Sequence, residues 1–101
     1  MMYVLANVTV KYGQLAGFNE AMVTVKRVME ANGWKLMGAW STVIGDIHEV
    51  HDLWEVEDAN AVQAGLAGAY QEPEFVQAAV QLSAIIDRES LRLLTKTPYS
   101  P

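Results

Sequence analysis

The residues able to do chemistry gather in one stretch, Asp46 to Trp54, which reads DIHEVHDLW. Histidine titrates near neutrality, as proton transfer requires, so His48 is the candidate general acid–base. Asp46 stands two residues before it, beside a turn, where its carboxylate could orient the imidazole. The competing reading is a turn aspartate bonded to its own backbone. A metal site is the other chemistry such a stretch invites, and strand geometry argues against it. Side chains alternate faces along a strand, so His48 and His51 point to opposite sides. His48 and Asp52 share a face but stand about 13 Å apart at roughly 3.3 Å per residue. Glu49 and His51 share a face at about 7 Å. No third ligand is evident beside them, so no metal is expected.

Binding residues can be proposed around this stretch. Trp34, Trp40 and Trp54 are large aromatic surfaces, suited either to packing or to stacking on a planar ligand. Asp52 and His51 could hold a polar group of such a ligand. So could Tyr3 and Asn7, which share one face of an N-terminal strand. Arg92, near the C-terminus, is the nearest counter-charge for an acidic ligand.

These residues need elements to position them. Met2 to Val10 alternates as a strand, with Met2, Val4, Ala6, Val8 and Val10 apolar on one face. Gln14 to Asn32 has helical period, with Leu15, Phe18, Met22, Val25 and Met29 forming one stripe. Asn32-Gly33 is a helix stop. Trp34 to Val43 and Ile47 to Val56 read as strands joined by the short turn Ile44-Gly45-Asp46, which makes an antiparallel hairpin. Asp58 is placed to cap a helix over Ala59 to Tyr70. A further helix fits Pro73 to Asp87, with a stripe of Phe75, Ala79, Leu82 and Ile86. Ser90 to Thr97 is a last strand. The order β-α-β-β-α-β predicts a ferredoxin-like α+β subunit, one domain over residues 1–101, with helices on one face of a four-stranded antiparallel sheet. The other sheet face is then bare. A second copy packed sheet-to-sheet is the economical cover, and the homodimer would enclose a barrel-like cavity.

Which hairpin residues look into that cavity depends on register. A three-residue loop pairs Thr42 with His48, Trp40 with Val50, Gly38 with Asp52 and Leu36 with Trp54. It gathers the three tryptophans with His48 and Asp52 on one face. A two-residue turn instead pairs Val43 with His48, Ser41 with Val50 and Trp40 with His51. We prefer the first because it collects aromatic and polar groups together; a slip of one residue reverses every face.

Composition removes whole classes of function. Seven Lys and Arg stand against twelve Asp and Glu, a net charge of −5, so no basic surface for nucleic acid is expected. The chain has no cysteine, which removes thiolate metal sites and cysteine nucleophiles. No apolar run approaches the roughly 18 residues of a membrane span. The first residues, MMYVLANVTVKYG, lack the basic start and cleavage site of a signal peptide, so a soluble cytoplasmic protein is expected. Dinucleotide, P-loop, nucleophile-elbow and zinc-helix motifs are missing.

Residues Gly33 to Glu57, GWKLMGAWSTVIGDIHEVHDLWEVE, resemble the central hairpin of the NIPSNAP family in Gly38, Trp40, Ile44, Gly45, Val50, Leu53, Trp54 and Glu55. Gly13 and the overall length agree as well. Asp52 stands where the family usually has histidine, with His51 one place earlier, and Val56 replaces an aromatic. The resemblance implies a dimeric α+β barrel, in a superfamily that includes cofactor-free monooxygenases and haem-degrading enzymes. No histidine is clearly placed as an axial ligand, so no cofactor is expected. The expected function is binding of a hydrophobic or aromatic small molecule in the barrel cavity, extending to cofactor-independent monooxygenase- or isomerase-like chemistry. The rival expectation is a non-catalytic homodimeric interaction module whose core is filled by its own side chains.

Overall fold

The alternation in Met2–Val10 (β1) becomes a strand with two distinct faces. Val4, Ala6, Val8 and Val10 are buried, while Tyr3, Leu5, Asn7 and Thr9 stay partly open. The computed structural model describes residues 1–101. Around β1 are built α1 (Leu15–Ala31), β2 (Lys35–Ser41), β3 (Glu49–Val56), α2 (Ala59–Ala69), α3 (Pro73–Ile85) and β4 (Ile86–Leu94). The four strands form one sheet in the order β2-β3-β1-β4, every neighbouring pair antiparallel. This is the expected ferredoxin-like α+β arrangement. All three helices lie on the Val4–Val10 face, and no element of the chain covers the other.

Local chemistry explains the element ends. Gly33 adopts φ +95°, a conformation that costs glycine little, and so ends α1. The Asp58 carboxylate accepts the Ala61 N–H at 2.9 Å and caps α2. Pro73 occupies the first turn of α3, where its missing N–H is not needed. The alanine- and glycine-rich α2 packs closely on Trp34, the residue before β2. A Cβ at Gly65 would run into the Trp34 indole, whose Nε1–H donates to the Ala61 carbonyl at 3.2 Å. Gly65→Ala is therefore expected to destabilise by about 1–2 kcal/mol in urea unfolding, since overpacking outweighs the gain of about 1 kcal/mol in helix propensity. A stabilised variant would contradict this close packing.

The hairpin departs from the expected short turn. Residues 42–48 form a seven-residue loop, and Met37 is a β-bulge. Leu36 pairs with Trp54, as the three-residue loop requires. Beyond the bulge Trp40 pairs with His51 and Ser41 with Val50, as the two-residue turn requires. Both registers are thus present, one on each side of the inserted residue. The expected gathering of three tryptophans with His48 and Asp52 on one face does not form. Trp34, Trp54 and Asp52 face the helices, Trp40 lies on the bare face, and His48 is in the loop. The C-terminal strand also differs, starting at Ile86 directly from α3 rather than at Ser90. Its charged residues suit an edge strand open to solvent.

Candidate functional site

The helix-facing side of the sheet is not filled evenly. Val4, Trp54, Val56, Trp34, Val28, Met29, Ala69 and Phe75 form one buried cluster; Val8, Val10, Val50 and Phe18 form another. Between them runs a row of paired residues, Ala39, Asp52, Ala6 and Leu91, one from each strand. Ala6 is small and Asp52 is polar, so the inner part of the row leaves space under the helices. A cavity of about 350 Å³ occupies it. Both expected helix stripes contribute to its walls: Phe18, Met22, Val25 and Met29 from α1, and Phe75, Ala79, Leu82 and Ile86 at α3 and its end. Leu66 of α2 and Trp34 and Trp54, packed edge-to-face with centroids 5.7 Å apart, complete the apolar lining.

Only three non-hydrophobic side chains line the space: Asp52, Ser83 and Glu89. Asp52 is 4% exposed, and its carboxylate enters no hydrogen bond or ion pair with another side chain or with backbone. Its oxygens nevertheless keep some accessible surface, because no fully buried oxygen in the fold lacks a partner. They meet the cavity. Desolvation by burial, with repulsion from Glu89, raises the Asp52 carboxyl from 3.8 to about 6, against a smaller opposing effect of His51. Burial also raises Glu89 from its ordinary value. A carboxyl poised near neutrality inside an apolar pocket can accept or hold a proton, or pair with a bound cation.

The remaining expected site residues are distributed elsewhere. Asn7, His51 and Trp40 come together on the bare face, and Tyr3 shares it farther along β1. His51 Nδ1–H donates to Asn7 Oδ1 at 2.6 Å, and its Nε2 lies 3.5 Å from Glu49 Oε1. The Trp40 indole folds over Gly38, where a Cβ would collide with the ring. Lys96 Nζ stands 5.7 Å from the Tyr3 ring centroid. Arg92 pairs with Leu5 on this face, so it does not reach the cavity as a counter-charge. His48 packs against Tyr12 in the loops, the rings tilted and their centroids 5.3 Å apart. The Asp46 backbone carbonyl accepts the Glu49 N–H at 2.9 Å, and no hydrogen bond joins Asp46 to His48, so the expected acid–base pair is not assembled. Of the residues expected to bind ligand, Trp54 and Asp52 reach the cavity. Glu89 and Ser83 were not foreseen. Glu89 shares the face of Leu91 and Leu93, but the irregularity at Asp87 breaks the alternation that begins at Ile86, so period alone does not place it.

No helix is long and apolar enough to cross a membrane, and no three metal-ligating side chains gather in one place. The fold and site define a small α+β protein with an open antiparallel sheet and an apolar pocket beneath its helices. The NIPSNAP family model matches residues 3–101, and the chain belongs to that family. Among curated proteins none matches the chain by sequence. Solved structures do match. A NIPSNAP family protein of unknown function from Agrobacterium tumefaciens is 16% identical with a TM-score of 0.88, covering 100% of this chain and 92% of its own. A NIPSNAP domain protein from Burkholderia xenovorans is 14% identical with a TM-score of 0.86, covering 100% and 99%. SnoaB, a cofactor-independent oxygenase from Streptomyces nogalater, is 19% identical with a TM-score of 0.75, covering 98% and 97%. At these identities the likeness establishes the fold.

Proposed function

We propose that the protein binds a hydrophobic or aromatic small molecule in the cavity between sheet and helices, and that it does so as a homodimer. The cavity carries this reading. Its volume of about 350 Å³ and its lining of 15 hydrophobic residues among 18, with a few polar groups, have the character of a small-molecule site. The site lies within one chain, in place of the inter-sheet space expected from the sequence. Where the bound molecule undergoes chemistry, Asp52 is the group that moves a proton, because it touches the cavity and titrates near neutrality. The resemblance to a cofactor-independent oxygenase fits a reaction run by protein side chains alone. Trp34 and Trp54 report binding. In a Trp40→Phe background they are the remaining tryptophans, and naphthalenemethanol, a neutral aromatic alcohol, is expected to quench them saturably. Unchanged emission across the solubility range would remove the pocket reading.

The dimer rests on the bare face. Leu5, Leu53 and Leu94 lie there beside Tyr3 and Trp40, and Trp40 is 56% exposed in the lone chain. Glu49 and Glu55 on β3 and Arg88 and Arg92 on β4 give the face both signs of charge, which a two-fold, self-complementary contact can use. Sedimentation is expected to find the wild type at twice the subunit mass and Leu53→Lys at the subunit mass, both folded. A monomeric wild type, or a variant that stays dimeric, would overturn it.

A further inference from the structure

The charges around the cavity say more about its occupant than its shape does. The ionisable groups in the lining are two carboxyls, Asp52 from β3 and Glu89 from β4, and the phenol of Tyr70. No Lys, Arg or His side chain lines it. α2 carries no charged residue at all. Arg27 of α1 is engaged outside with Glu74 of α3 at 2.6 Å. Arg88 and Arg92 are in the opposite phase of β4 from Glu89, and His51 is on the opposite face of β3 from Asp52. The buried Asp52 carboxylate has no side-chain or backbone partner and opens into the space. A carboxylate ligand would enter as a third negative group next to two that already repel each other. A protonated nitrogen would relieve that repulsion and supply the missing donor.

We propose that the cavity selects a lipophilic amine, an aromatic or branched aliphatic body with a protonated nitrogen, seated on Asp52 with Glu89 and Ser83 beside it. The proposal rests on the pocket reading above and specifies its ligand class. The apolar body would lie among Met22, Phe75 and Leu82, which leaves the polar row of the sheet for the nitrogen.

The test compares three probes of one shape in the Trp40→Phe protein: naphthylmethylamine, naphthalenemethanol and naphthoic acid. At about pH 8 the amine is expected to bind about tenfold tighter than the alcohol, the gain of a hydrogen bond to a charged group. The acid is expected to bind more weakly than either. In Asp52→Asn the ratio of amine to alcohol affinity should fall to about one. The wild type at about pH 5 offers the same comparison without a substitution. Asp52, raised to about 6 by burial and Glu89, is then protonated, and the advantage of the amine should shrink. An alcohol that binds as well as the amine, an acid that binds better, or an advantage that survives in Asp52→Asn would overturn the proposal and leave the pocket standing. Failure of all three probes would remove the pocket and the proposal together.

Discussion

Asp52→Asn should be more stable than the wild type at about pH 8 and nearly equal to it below about pH 4. The folded carboxyl titrates at about 6, against 3.8 for the free group. Its contribution to stability is therefore intact when the group is protonated in both states. It is lost as pH rises through the folded value, because the fold must then hold a buried, unpaired charge. At about 1.4 kcal/mol for each tenfold step, the difference is on the order of 3 kcal/mol. Asparagine keeps the size and removes the charge. The gap between the two proteins should thus open between about pH 4 and pH 6 and stay constant above, reaching several degrees in melting temperature. Glu89, raised in the same direction by burial, gives both proteins further slope of the same sign. Urea unfolding across pH measures this. Equal stability at about pH 8, or a loss there, would mean that Asp52 is satisfied in a way this fold does not display. The gain in stability should come with the loss of selection among ligands, as is usual where a group is held for function at a cost to folding.

Ala79→Leu has the second large expected effect. Ala79 lines the cavity from α3 and is half-buried. Leucine there places its branched end in the open space. Filling a true void commonly stabilises by about 0.5–2 kcal/mol, whereas forcing the same atoms into a packed core destabilises by about 1–3 kcal/mol. The sign of the change thus reports whether the space is open. We expect stabilisation near 1 kcal/mol by chemical denaturation, together with loss of tryptophan quenching by naphthalenemethanol. A destabilised variant, or one that binds the alcohol as the wild type does, would place the ligand elsewhere.

Much of this architecture was legible in the sequence because amphipathic period is a direct consequence of one-sided burial. The ends of β1 agree with its alternation, and the stripes on α1 and α3 became two walls of the cavity. The hairpin was harder. Val43 and Ile47 have strand-forming side chains yet are 86% and 51% exposed in the loop, so their residue types exaggerated both strands. The bulge at Met37 then moved Trp40 to the opposite face from Trp54. Periodicity cannot place a single inserted residue when both faces of a strand carry apolar groups. Asp52 sat in plain view among Val50, Trp54 and Val56, one acid in an otherwise apolar phase. Its role depended on a neighbour across the sheet, Ala6, whose smallness opens the space it faces.

The cavity also explains why His48 was misleading. Histidine beside a turn is attractive by type, but the loop carries it to Tyr12 and away from any enclosed space. Chemistry in this fold is set by which residues share the row beneath the helices, and the lining part of that row is written across three strands, β1, β3 and β4.

A crystal structure determined with naphthalenemethanol present is expected to show the aromatic body between Met22, Phe75 and Leu82, with its hydroxyl toward Asp52, inside each subunit. An alcohol found instead between two facing sheets beside Trp40 and His51, or a helix layer closed down on Ala6 with no room beneath it, would overturn the pocket.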